Sequence, residues 1–216
     1  MIVFLLGLLT MTFNILWLIL VGMGTGLSLI VAIGAQNAFI LKQGIIGRFI
    51  TPIVLVCILS DALLIGIGIF SVGKLAQSAA WVLEVLRWAG AAFLLCYGLL
   101  ALRRAFRPGT LEVDTQQEGP QSLGRALAIT LAITYLNPHV YVDTMALLGT
   151  LANTYGQSGR WWFYLGTVLG STVWFLALGY GSRLLRPLFA QEKSWRILDA
   201  VIAAIMLFLA YEIALG

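Results

Sequence analysis

Six stretches of mostly apolar residues dominate this chain of 216 residues. Each is about 20 residues or longer, the length needed to cross ~30 Å of hydrocarbon. They run over about Asn14–Leu41, Ile50–Val72, Ala79–Leu102, Leu123–Leu151, Trp161–Ser182 and Trp195–Leu215. The chain therefore reads as an all-α membrane protein of about six transmembrane helices. Composition agrees: 61% of residues are hydrophobic and 10% charged, where soluble domains hold about 45–50% and 25%. Mean hydropathy is +0.98. One transmembrane domain over residues 1–216 leaves no room for a second, soluble one. Met1–Asn14 is apolar but lacks the positive n-region of a signal peptide. We expect an extended or misplaced start there, with Met11 as another initiator, rather than a seventh span.

The longest polar connection is Arg103–Ser122, which carries Arg, Pro, Gly, Glu, Asp and Gln without apolar periodicity and reads as a flexible cytoplasmic linker. It divides the chain into halves, 14–102 and 123–216, of three spans each. The connections Lys42–Phe49, Gly73–Ser78, Ala152–Arg160 and Arg183–Ser194 are short. Lys42, Arg48, Arg103, Arg104, Arg107, Arg125, Arg183, Arg186, Lys193 and Arg196 fall after the odd-numbered spans. Only Lys74, Arg87 and Arg160 fall on the other side. Cytoplasmic loops carry the excess of Lys and Arg. Both termini are thus expected outside the cytoplasm, and a change in the first span would flip only the N-terminus. The net charge of +4 reports orientation and headgroup contact rather than nucleic-acid binding. Trp81, Trp161, Trp162 and Trp195 sit near span ends, where aromatic anchors belong.

Ala32-Ile33-Gly34-Ala35-Gln36-Asn37-Ala38-Phe39 aligns without gaps on Ala132-Ile133-Thr134-Tyr135-Leu136-Asn137-Pro138-His139, matching at Ala32/Ala132, Ile33/Ile133 and Asn37/Asn137. A repeat of three spans crosses an odd number of times, so its second copy is inverted. Two inverted three-helix repeats with broken helices at matching positions point to a midplane binding site.

Asp61 lies within Ile53–Phe70, whose other residues are apolar, glycine or serine, and Asp143 follows the polar break Tyr135-Leu136-Asn137-Pro138-His139. A carboxylate at a helix centre costs roughly 3 kcal/mol on insertion scales, so it faces a partner or a wet pathway. The plainer reading of Asp61 is an internal salt bridge, with Arg87 the nearest embedded cation and Glu84 its competitor. The sharper one joins Asp61 to Asp143 through a shared proton or cation, which permits proton coupling. Gln36 and Asn37 must find partners in the bundle or line a cavity. Interhelical amide pairing is the plain alternative. Gly34 allows a local helix break, and Pro138 forces one by removing an N–H and clashing with the preceding turn. His139 and Asp143 are spaced i, i+4 on one helical face. A locally satisfied His–Asp pair beside the kink is equally compatible.

Other features carry less. Gly90–Gly98 and the GxxxG of Gly166–Gly170 suggest close helix packing. Tyr97 and Tyr211 could reach a cavity, and Glu212 lies near the last membrane boundary. Cys57 and Cys96 read as buried free thiols. His139 is the only histidine, which excludes a multi-histidine metal centre. No phosphate loop, nucleophile elbow or haem signature occurs. No metal or cofactor is expected.

Gly34-Ala35-Gln36-Asn37-Ala38-Phe39 followed by Gln43-Gly44-Ile45, then Ser60-Asp61, then Leu136-Asn137-Pro138-His139-Val140-Tyr141-Val142-Asp143-Thr144, resembles the LysE/ArgO family of basic amino acid exporters. The likeness runs from about Gly26 to the end, and the second motif resembles the arginine/lysine branch. The resemblance implies a cytoplasmic-membrane exporter of L-lysine or L-arginine, driven by the electrochemical gradient and forming a homodimer. Chemistry is compatible. Asp61 and Asp143 would meet the cationic side chain, while Gln36, Asn37, Asn137, His139 and Tyr141 complete the expected substrate-binding set. A +1 cargo is drawn inward by about 2.3 kcal/mol per 100 mV, so net export needs coupling, most simply to protons carried by Asp61 and Asp143. The competing reading is an intramembrane acid/base enzyme using Asp61, His139 and Asp143.

Overall fold

The computed structural model describes residues 2–31, 34–70, 80–106 and 122–215. Among them the backbone is helical, without strands. The helices are α1 (Ile2–Ile30), α2 (Ala35–Ile46), α3 (Ile50–Phe70), α4 (Ala80–Phe106), α5 (Leu123–Tyr135), α6 (Pro138–Tyr141), α7 (Gly149–Thr154), α8 (Gly156–Gly181) and α9 (Glu192–Leu215). A π-helical segment, Val142–Leu148, lies between α6 and α7, and a 3-10 segment, Ser182–Ala190, between α8 and α9. Most of the expected linker, with Arg107, and the connection holding Lys74 fall outside the described residues, as does the side chain of Trp81.

Among the described residues five helices are long and apolar enough to cross a membrane: Met11–Ile30, Ile50–Phe70, Arg87–Phe106, Gly156–Phe189 and Lys193–Leu215. Two expected spans are instead divided. Asn14–Leu41 becomes the end of α1 and the start of α2, a helix of 12 residues that at 1.5 Å per residue is about 18 Å long, too short to cross alone. Leu123–Leu151 becomes α5, α6, the π segment and part of α7. The interruptions fall beside Gly34 and Pro138, the residues read above as allowing and forcing breaks, and a count of length alone merges the flanking helices. Pro138 opens α6 at its first position, where its missing N–H costs nothing and where it restrains Asn137 from helical geometry. In α5, Thr130 and Thr134 donate their hydroxyls to the carbonyls of Ala126 and Thr130, each at 2.9 Å.

The chain forms two compact units, and each draws on both sequence halves. One comprises Met1–Val31, Ile58–Ser78 and Tyr141–Trp174. Its core is Ile65, Ile69, Leu148, Ala152 and Phe163. The Tyr164 hydroxyl donates to the Ala62 carbonyl at 3.1 Å, and Phe70 packs on Trp161 with ring centres 4.1 Å apart. Here α1 and α8 meet backbone to backbone. A Cβ on Gly22 would strike the Phe163 carbonyl, one on Gly166 the Ile19 carbonyl, and one on Gly170 would lie 2.9 Å from the Met23 oxygen. The GxxxG of α8 thus interlocks with Gly22 and Gly26 of α1, as small-residue faces do when helices approach closely. Gly166→Ala should destabilise the protein by about 1–3 kcal/mol through overpacking. Gly34→Ala, whose Cβ would meet nothing within 4 Å, is the neutral control. Thermal stability of the two purified variants checks this.

The second unit comprises Ala32–Cys57, Ala79–Val140 and Phe175–Gly216. Its most extensive helix pair is α4 with α9. A Cβ on Gly98 of α4 would lie 3.0 Å from the Leu207 side chain, so the small-residue stretch of that helix serves close packing. Gly47 ends α2 in the left-handed region, φ 80°, with its N–H on the Gln43 carbonyl at 2.7 Å. Cys57 is buried, but Cys96 is exposed, because it lies on an outward row of α4. Tyr211 and Glu212 are exposed too. Trp195 is buried rather than an outward anchor; its indole donates to the Phe189 carbonyl at 2.8 Å.

Candidate functional site

In the first unit, Asp61 is 6% exposed on α3, next to buried Ser60. Its Oδ2 accepts a 2.6 Å hydrogen bond from the Ser171 hydroxyl of α8. No Lys or Arg among the described residues forms an ion pair with it. Arg87, the cation of the plainer salt-bridge reading, is engaged elsewhere. Arg87 donates to the carbonyls of Ile213 and Ala214 at 2.7 and 2.8 Å and lies 3.6 Å from Glu84. It completes the last turn of α9, where orphan carbonyls attract cations. Among the described residues Asp61 thus keeps one neutral hydroxyl partner and no counter-ion. Tyr141 ends α6 and Asp143 stands in the first turn of the π segment; both are half-buried, and Thr144 beside them is buried. π-turns are rare and recur at functional positions.

The second unit holds the amide residues. Gly34 is the N-cap of α2, with φ −112° and ψ −176°, and its carbonyl accepts from the Ala38 N–H at 3.0 Å. That is ordinary extended backbone, so the break does not use glycine's conformational freedom. Gln36 and Asn37 occupy the first turn of α2, where N–H groups precede the helical ladder. Asn37 is buried, and Gln36 Nε2 is a buried donor without a hydrogen-bond partner among the described residues. Further along α2, Gln43 is 1% exposed and its Oε1 also lacks a partner among the described residues. Asn137 is half-buried in the gap between α5 and α6, and its carbonyl accepts from the Val140 N–H at 3.2 Å. Asn37 is therefore inside a helix while Asn137 lies in a break, so the gapless alignment does not superpose the two interruptions. The side chains of Pro138 and His139 lie outside the described residues. The α-geometry assumed between His139 and Asp143 gives way to the wider π pitch at Val142.

A charged cluster in the second unit was not expected. Lys42, counted above among loop cations, is 2% exposed inside α2 and donates to Asp199 Oδ1 of α9 at 2.7 Å. Arg104 of α4 reaches the same oxygen through Nη2 at 3.3 Å and Nε at 3.4 Å. The Trp195 ring lies 5.9 Å from Lys42 Nζ, and the Tyr97 ring 5.9 Å from Arg104 Cζ. A signal existed: Asp199 sits within the expected span Trp195–Leu215, and the reasoning that singles out Asp61 applies to it equally. Nearby, Arg186 donates to the Ile45 carbonyl at 2.9 Å. Removing Lys42 from the loop tally leaves the charge bias in the same direction. Among the described residues no cluster of His, Cys, Asp and Glu could hold a metal ion.

The family profile described as LysE type translocator matches residues 27–216. The chain is 38% identical over 193 residues to the arginine exporter protein ArgO of Klebsiella pneumoniae, covering 89% of this chain and 91% of that one. It is 37% identical over 193 residues to the ArgO protein of Salmonella enteritidis, with the same coverage. It is 42% identical over 184 residues to a putative amino-acid transporter of Mycobacterium tuberculosis, covering 85% and 90%. No solved structure matches the chain.

Proposed function

Since this chain belongs to the LysE type translocator family, we propose that it exports basic amino acids, arginine first and lysine with it, across the cytoplasmic membrane. Amino-acid export is the reading that its exporter relatives support, and they favour transport over acid/base enzymology. The observation that carries the cationic substrate is Asp61: a buried carboxylate with a hydroxyl partner and no counter-ion among the described residues. Such a group is costly unless a cation visits it.

A basic amino acid needs negative charge for its side chain and donors for its carboxylate, and each unit by itself holds candidates. In the first, Asp61 and Asp143, with Tyr141, offer negative charge and a hydroxyl to the side chain. In the second, Gln36, Asn37 and Asn137 offer amides, and the first turn of α2 offers N–H groups and a favourable dipole for a carboxylate. His139 joins them as a proton-handling group. A cargo of charge +1 moves outward against about 2.3 kcal/mol per 100 mV of inside-negative potential, and entry of one or more protons offsets that work. Asp61 and Asp143 carry those protons.

Arg103 and Arg104 end α4, while Lys193 and Arg196 begin α9. The positive-inside rule assigns that end to the cytoplasm, so α9 runs outward. If the interrupted segment 123–154 completes one crossing, six crossings make two inverted three-helix repeats with both termini outside. The C-terminal placement is independent of how the first segment crosses. An alkaline phosphatase fused after Leu215 should be active, and an inactive fusion would reverse the topology. A homodimer follows from family resemblance.

The deciding experiment is efflux of radiolabelled arginine from proteoliposomes under an imposed pH gradient. Lysine and canavanine should compete and neutral amino acids should not. Transport that ignores the gradient removes proton exchange. Equal competition by neutral amino acids removes the preference for basic ones.

A further inference from the structure

We propose that Asp199 is a loading station for the cationic side chain of the cargo, and that the Arg104 guanidinium occupies it as an internal stand-in which the cargo displaces. This deepens the exporter reading and rests on it. The station is chemically complete for a guanidinium or ammonium group. It has a carboxylate that is 2% exposed, with the faces of Tyr97 and Trp195 beside the cations it already holds.

The two resident cations are not equivalent. Lys42 is sealed in and bonds Asp199 at 2.7 Å. The Arg104 side chain is 32% exposed and makes only longer contacts, 3.3 and 3.4 Å, to the same oxygen. Longer bonds and a solvent-reached guanidinium make Arg104 the more weakly held, exchangeable partner and Lys42 the permanent one. Charge arithmetic agrees. Lys42 and Arg104 contribute +2 and Asp199 −1, a local sum of +1. Replacing one guanidinium by another leaves that sum unchanged, so arginine adds no net charge to a desolvated place. A neutral amino acid gives Asp199 nothing in return for Arg104. The station also lies at the basic end assigned above to the cytoplasm, the side from which an exporter takes its cargo.

The plain alternative is a staple that joins α2, α4 and α9 and never meets cargo. Concentration-dependent arginine transport, loaded from the cytoplasmic face in proteoliposomes, separates the two. It is measured for the parent protein, Arg104→Gln, Arg104→Met and Arg104→Lys. Arg104→Met keeps much of the apolar stem, so one neutral variant guards against misfolding of the other. The KM for arginine should fall by about two- to fivefold in the neutral variants, because the competing internal cation is gone. It should stay at the parental value in Arg104→Lys. Citrulline, the neutral analogue of arginine, should not inhibit any of them. An unchanged or raised KM in the neutral variants, with only protein yield reduced, would overturn the station and leave the staple. Inhibition by citrulline as strong as by lysine would overturn it as well. No arginine export by the parent protein would overturn the exporter reading and the station together, whereas parental export with an unmoved KM overturns the station alone.

Discussion

Replacing Lys42 with methionine should lower the thermal midpoint of the detergent-solubilised protein by about 10 °C, which corresponds to roughly 3–5 kcal/mol in a chain of this size. The reason is an asymmetry in buried ion pairs. Intact, the pair returns little more than its desolvation cost; with one partner gone, the other is a bare charge in a low-dielectric interior. Methionine fills most of the space of the lysine stem, so packing is nearly conserved and the loss reports charge. Asp199 would then depend on Arg104, whose contacts at 3.3 and 3.4 Å are weaker than the 2.7 Å bond removed. Lys42→Met combined with Asp199→Asn should recover most of the stability, since no bare carboxylate remains. A single variant as stable as the parent would mean that Arg104 alone satisfies Asp199. A double variant no better than the single one would place the loss in packing.

Asp61→Asn should leave insertion and stability close to parental while arginine efflux falls about thirtyfold or more, the scale on which a buried charge partner matters to a bound ion. Asparagine is nearly isosteric and retains an oxygen that can accept from the Ser171 hydroxyl, now at 2.6 Å from the carboxylate. What it removes is the negative charge and the proton-carrying capacity. Asp143→Asn should behave similarly. Ser171→Ala separates charge from hydrogen bonding: it should reduce efflux far less than Asp61→Asn. The measurement is efflux from loaded cells, normalised to the amount of protein in the membrane. Unchanged efflux in both aspartate variants would remove them from the transport path.

The membrane character was legible because hydrocarbon imposes a length that sequence displays directly. The interruptions were harder to delimit. Pro138 marks one through its chemistry and Gly34 permits the other, yet apolarity is nearly continuous across the end of α1, and only the backbone shows how short α2 is. The GxxxG of α8 was visible, but its counterpart at Gly22 and Gly26 lies more than a hundred residues earlier and has meaning only once the helices touch. Lys42 shows the limit most clearly. At the edge of an apolar run it reads as a loop cation, and its burial depends on Asp199, 157 residues away. The position of Asp61 inside a span could be read locally. The identity of its partner, Ser171, could not.

The π segment Val142–Leu148 has a mechanical consequence. A π-turn packs one more residue into a loop of helix than an α-turn does. The chain therefore carries a spare peptide unit in mid-helix, directly at Asp143. Sliding that surplus along by one position exchanges one hydrogen-bond register for another, and turns the side chains it passes by about 100°, the rotation per residue of an α-helix. A carboxylate mounted on such a ripple can be re-aimed while the helical rods on either side stay still.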